Sequence, residues 1–67
     1  MVINVNDANR EVGPASTVLA LLCEMGLAER PGIAVAVNGA LVPRSTWKSQ
    51  ELCEADRVIV LRATAGG

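Results

Sequence analysis

One segment of this chain carries helical periodicity, and it is too short to stand alone. Val18, Leu21, Leu22 and Met25 fall at i, i+3, i+4 and i+7, a single apolar stripe. Ser16 and Thr17 precede it with hydroxyls suited to capping free N–H groups, and Gly26 follows as a stop signal. The helix so bounded has about nine residues, marginal in isolation. It needs a sheet to lie on, and the rest of the chain reads as strands and turns.

Met1 to Asn6 alternates Met1, Ile3 and Val5 against Val2, Asn4 and Asn6, the pattern of a half-buried strand. Asp7-Ala8-Asn9 supplies turn residues and Arg10-Glu11-Val12 begins a return strand, together an N-terminal hairpin that Gly13-Pro14-Ala15 ends. After the helix, Leu27 to Gly32 is a connector closed by the turn chemistry of Arg30-Pro31-Gly32. Ile33-Ala34-Val35-Ala36-Val37 is a strand with Ala on alternate positions. Asn38-Gly39 is a hairpin turn, Leu41-Val42 returns, and Pro43 closes an edge strand. Arg44 to Lys48 reads as a turn or single helical turn, with Trp47 over the lower end of the core. Glu51-Leu52-Cys53 is a short extended piece, Glu54-Ala55-Asp56 another turn, and Arg57 to Ala63 the last strand. The order ββαβ(β)β predicts an α+β fold, one mixed sheet of about five strands packed on one main helix.

The last strand is apolar at every position from Val58 to Leu61, so both of its faces should meet something apolar. With one helix available, Val58 and Val60 are assigned inward. Ile59 and Leu61 then point to the opposite face, as a docking surface or beneath a folded-over loop. The 67 residues form one domain, here bounded as 1–63 with a flexible tail at 64–67. Hydrophobic residues make up 51% of the chain but Trp47 is the sole aromatic, so the core is aliphatic.

Several function classes are set aside by composition. The net charge is −1, with no basic run and no aromatic interleaving, which argues against nucleic-acid binding. Apolar stretches are too short to span a bilayer and no signal-peptide pattern is present, so a cytoplasmic protein without membrane attachment is expected. Cys23 and Cys53 stand apart in a chain without histidine, so neither a metal site nor a disulfide is expected, and both cysteines read as small apolar fillers. The chain offers no histidine for acid–base work, no Ser-His-Asp grouping and no phosphate-cradling loop. Glu54 and Asp56 read as solvated turn acids. The chain is expected to bind no cofactor and not to be an enzyme.

What remains is the end of the sequence, Arg62-Ala63-Thr64-Ala65-Gly66-Gly67. Two glycines at a terminus are thin and mobile, and Thr64 to Gly67 reaches roughly 13 Å when extended at about 3.3 Å per residue. Such a tail either frays without consequence or enters a narrow cleft on another protein. A terminal carboxylate, with a pKa near ~3.5, is ionised and a poor electrophile. It reacts only after activation, most simply as an acyl-adenylate made by a partner with ATP.

These features resemble the ubiquitin-like β-grasp sulfur carriers, and within them the thiamin-biosynthesis carriers of the ThiS type. The resemblance covers essentially the whole chain. It is carried by Asn6, Thr17-Val18 with Leu21-Leu22, Ala34-Val35-Ala36-Val37-Asn38, Val42-Pro43-Arg44 followed by Trp47, Asp56-Arg57-Val58, and Ala65-Gly66-Gly67. It implies that a ubiquitin-activating-type adenylyltransferase uses ATP to adenylate Gly67. Sulfur, often drawn from cysteine by a cysteine desulfurase, then displaces AMP to leave a thiocarboxylate, and thiazole synthase accepts that sulfur. It also implies that Gly66, Ala65 and Thr64 thread into the partner while Ile59, Leu61, Arg62 and Ala63 meet its surface. Arg44 and Trp47 are family marks read here as structural. Related chains usually carry Gly-Asp before the last strand, where this one has Ala55-Asp56; glycine there points to a turn with φ > 0, so the resemblance leaves this turn's geometry open. The same chemistry could serve molybdopterin or a sulfur-containing secondary metabolite, although the molybdopterin carrier is typically longer. A ubiquitin-like protein modifier and a binding module with an inert tail are the remaining alternatives.

Overall fold

In the computed structural model, which describes residues 1–63, the elements run β1 (Val2–Val5), β2 (Ala8–Glu11), α1 (Val18–Glu24), β3 (Ile33–Val37), β4 (Ala40–Val42), a 3-10 turn (Arg44–Thr46) and β5 (Arg57–Arg62). The strands form one five-stranded sheet in the order β2-β1-β5-β3-β4. The central pair β1 and β5 is parallel, with Asn4 opposite Arg57 and Val5 opposite Val58; the other pairs are antiparallel. A parallel pair cannot be joined by a tight turn, and α1 lies in the crossover between them. This is the expected mixed sheet on one helix, in the β-grasp arrangement.

The first hairpin turns earlier than the sequence reading placed it. Asn6 and Asp7 occupy the two central positions at φ 50° and 68°, and β2 already begins at Ala8. A two-residue hairpin loop needs φ > 0 twice, which Asn and Asp tolerate and Ala resists. Asn4 adds to this by accepting the Asp7 N–H on Oδ1 at 3.1 Å. The second hairpin turns at Asn38-Gly39, as expected, with φ 51° and 85°.

The helix spans Val18–Glu24, shorter than the expected nine or so residues because Thr17 and Met25 serve as its caps. Thr17 Oγ1 accepts from Ala20 N at 3.1 Å. At the other end Gly26 N donates to Cys23 O and Leu27 N to Leu22 O, a Schellman closure made on Gly26 at φ 74°. The first free amides of the helix, Val18 N and Leu19 N, reach Gln50 O and Trp47 O at 2.9 and 3.0 Å. The segment after the 3-10 turn is thereby held over the start of the helix.

Val18, Leu21 and Leu22 of the helix face Ile3, Val5, Val35, Val37, Val58 and Val60 of the sheet. Val12, Val42, Trp47 and Leu52 complete the core, and none of the described polar or charged residues is buried. Val58 and Val60 therefore point inward as assigned. The cysteines do not fit their reading as apolar fillers, since Cys23 and Cys53 are both exposed. At about 100° per residue Cys23 lies opposite the Leu21 stripe, and Cys53 sits in the turn ahead of β5.

Candidate functional site at the end of the last strand

β5 has paired neighbours on both sides, and those pairings hold it almost to its end. On one side β3 matches it from Val37↔Val58 to Ile33↔Arg62. One residue further, Ala63 N donates to Gly32 O at 2.8 Å. On the other side β1 stops at Val5, and the side chain of Asn6 continues its work. Asn6 Oδ1 accepts from Val60 N at 2.8 Å and Asn6 Nδ2 donates to Val60 O at 3.2 Å, while Asn6 N donates to Val58 O. A primary amide presents a donor and an acceptor side by side, so it can stand in for one more residue of strand.

The start of β5 is fixed in a similar way. Asn38 Oδ1 accepts from Arg57 N at 2.9 Å and Asn38 Nδ2 donates to Asp56 Oδ1 at 2.9 Å. Asp56 Oδ2 accepts from Cys53 N at 2.7 Å, and the Glu54 carboxylate accepts from Val2 N at 3.2 and 3.3 Å. Glu54 and Asp56, read from sequence as solvated acids, are thus bound into the turn as acceptors. Ala55 within this turn sits at φ 69°. The φ > 0 geometry expected where related chains carry glycine is present here with alanine.

On the face away from the helix, Ile59 is half-buried and Leu61 is 63% exposed. Their partners across the pairing with β3 are Ala36 and Ala34. Ala36 also pairs with Leu41 of β4, which is 72% exposed. The small alanines leave Leu41, Ile59 and Leu61 standing above the sheet as one apolar patch across three strands. Leu61 lies open, so the alternative of a loop folded over it does not hold among the described residues. Leu41 was not singled out from sequence, although Val42 on the inner face implies that its neighbour points outward. Arg62 and Ala63 are exposed beyond the patch. Thr64, Ala65, Gly66 and Gly67 lie outside the described residues.

Arg44 and Trp47 form a second construction on the opposite flank of β3. Trp47 is 2% exposed and donates from Nε1 to Val42 O at 3.0 Å. The Arg44 guanidinium lies 4.5 Å from its ring centroid and donates from Nη1 to Ala28 O at 3.1 Å and from Nη2 to Arg30 O at 3.0 Å. Among the described residues no group of three His, Cys, Asp or Glu could hold a metal, and no helix is long and apolar enough to cross a membrane.

Comparison with known proteins gives a consistent answer. The crystal structure of a thiamine biosynthesis protein (ThiS) from Geobacter metallireducens superposes with a TM-score of 0.84 at 25% identity, covering all of both chains. The NMR solution structure of a thiamine biosynthesis protein from the same organism gives 0.77 at 26% identity, over all of this chain and 88% of that one. No curated protein matches the sequence. The model of the ThiS family matches residues 3–67, from the first strand through Gly66-Gly67. With residues 3–67 matched by the family model and the fold shared over the full length, the chain belongs to the ThiS family of β-grasp sulfur carriers.

Proposed function

We propose that this chain carries sulfur as a thiocarboxylate on Gly67 and delivers it to thiazole formation in thiamin biosynthesis. The observation that supports this best is the placement of β5. The strand leading to Gly66-Gly67 is the middle strand of the five, paired on both sides, and it carries Ile59 and Leu61 of the open patch that Leu41 completes. A partner gripping that patch would have the end of the chain beside its own active site. The family match and the thiamine biosynthesis proteins of similar structure favour the thiamin pathway over other uses of the same chemistry.

In this reading the protein is a co-substrate rather than an enzyme. A carboxylate oxygen of Gly67 attacks the α-phosphorus of ATP on a ubiquitin-activating-type adenylyltransferase, and pyrophosphate leaves. The terminal sulfur of a persulfide formed by a cysteine desulfurase, brought to the oxidation level of sulfide by two electrons from a thiol reductant, then attacks the acyl carbon. AMP departs and the thiocarboxylate remains for thiazole synthase. Ile59, Leu61, Arg62 and Ala63 contact these partners, while Thr64, Ala65 and Gly66 thread the carboxylate inward. In this reading the reaction runs in the cytoplasm, with ATP as co-substrate of the activating enzyme.

The test is intact-protein mass after incubation with the adenylyltransferase, ATP and a sulfur source. The expected change is one sulfur for one oxygen at Gly67, absent from a variant lacking Gly67 that keeps its fold. A variant without Gly67 that still acquires sulfur would overturn the assignment.

A further inference from the structure

The sulfur-carrier reading assigns no task to Arg44, Trp47 or Gly32, yet Arg44 lies on Trp47 and binds the connector that ends at Gly32, which itself lies against Ala63 at the root of the tail. We propose that Arg44, acting through the connector that ends at Gly32, fixes the direction in which the chain leaves the sheet after Ala63. Arg44 and Gly32 would then be positioning residues for Gly67. The inference rests on the sulfur-carrier reading for its consequence, not for its geometry.

Gly32 lies flat against the first residue beyond β5. It accepts the Ala63 N–H at 2.8 Å, and a Cβ added at position 32 would stand 3.0 Å from Ala63 O and 3.3 Å from Ala63 Cβ. Its φ of +76° is a second reason for glycine at this position. Any side chain here must push Ala63 away, bend the connector, or both.

Something must in turn hold Gly32, because the connector before it belongs to neither the helix nor the sheet. Arg44 supplies that hold. Its guanidinium is stacked over the buried Trp47 ring, and its two terminal nitrogens bind the carbonyls of Ala28 and Arg30. A planar fork can span two carbonyls while lying on an aromatic face; a lysine ammonium on its flexible stem cannot reproduce both contacts. A continuous path of contacts and covalent bonds therefore runs from Trp47 in the core through Arg44, Ala28 and Arg30 to Gly32 and Ala63.

The consequence is leverage. With about 13 Å of extended chain beyond Ala63, a tilt of about 15° at the root displaces the reacting carboxylate by roughly 3 Å. Misplacement of only ~1 Å can cost about 100-fold in rate.

The test compares Arg44→Gln, Arg44→Lys and Gly32→Ala with the parent protein in two measurements. The first is native-state hydrogen exchange. In Arg44→Gln and Arg44→Lys the Ala63 amide should lose at least tenfold of its protection while the core amides of Val35 and Val60 keep theirs; a general loss of stability would lower all of them together. The second is steady-state adenylation by the activating enzyme. Here kcat should fall tenfold or more with KM for the carrier within about twofold, since the docking patch is untouched, and Arg44→Lys should not rescue. Unchanged Ala63 protection, unchanged kcat, or full rescue by lysine would each overturn the proposal. Should Gly32→Ala fail to fold, the two Arg44 variants, altered at an exposed residue, decide alone. A parent protein that is not adenylated at all would refute the carrier reading and with it the effect on Gly67, while the exchange data still decide whether Arg44 anchors Ala63.

Discussion

Replacing Ala55 by glycine should make this protein more stable, against the usual direction of such a change. Ala55 is exposed, at φ 69°, in the turn that feeds β5. Its N–H donates to Val2 O at 2.9 Å, a bond glycine keeps. The left-handed conformation costs an L-residue about 1–2 kcal/mol through the clash of Cβ with the backbone. Glycine removes that clash and loses about 0.5–1 kcal/mol through the greater freedom of the unfolded chain. The difference favours Ala55→Gly by about 0.5–1 kcal/mol. In a domain of this size that corresponds to a rise in Tm of roughly 2–8 °C. Urea unfolding should show a higher midpoint with an unchanged slope, because the surface exposed on unfolding barely changes. Ala20→Gly is the matched control: the same atoms are removed from an exposed site inside α1, where right-handed geometry makes glycine about 1 kcal/mol worse. A lower midpoint for Ala55→Gly, or the same sign for both variants, would refute the reasoning.

Two further outcomes follow from the two faces of the sheet. Leu61→Ser removes an apolar side chain that is 63% exposed, so stability should stay within about 0.5 kcal/mol. The KM for the adenylyltransferase should rise roughly 5- to 30-fold, the equivalent of about 1–2 kcal/mol of lost apolar contact; an unchanged KM would remove Leu61 from the docking surface. Leu21→Ala empties a fully buried position and should cost about 3 kcal/mol. A chain of this length has on the order of 3–10 kcal/mol in all, so circular dichroism should find the variant partly unfolded at 37 °C, and a melting curve like the parent's would contradict the packing described.

How much of this was legible in the sequence depended on the distance over which each feature is decided. The helix stripe, the Asn38-Gly39 turn and the inward assignment of Val58 and Val60 are local, and all three hold. The first hairpin was misplaced because Asp7-Ala8-Asn9 has turn composition, whereas the decisive requirement was two successive residues tolerant of φ > 0. Cys23 was misread for a different reason: its apolar character was weighed, but its angle from Leu21 on the helix was not. Strand order and the parallel β1–β5 pair depend on contacts between distant segments that periodicity does not encode. The same holds for the side chains of Asn6 and Asn38, which bind backbone 54 and 19 positions away. Arg44 was read as structural from its family pattern, and its role became specific only once Ala28, Arg30 and Trp47 stood around it.

The position of β5 also bears on how a carrier of this size survives being used. Drawing a tail into a partner's cleft applies a pull to whichever strand the tail continues. Had it continued β4 or β2, each bonded on one side only, the pull could peel the strand away one hydrogen-bonded pair at a time. β5 is bonded to β1 and β3 and presents Val58 and Val60 to the helix, so displacing it requires breaking both pairings and opening the core together. Asn6 and Gly32 carry this two-sided grip past the end of β1 and past the last β3–β5 pair. Under the proposed function, load placed on the tail would be met close to Ala63, and a domain with only a few kcal/mol of stability would present its end to one partner after another without unravelling from it.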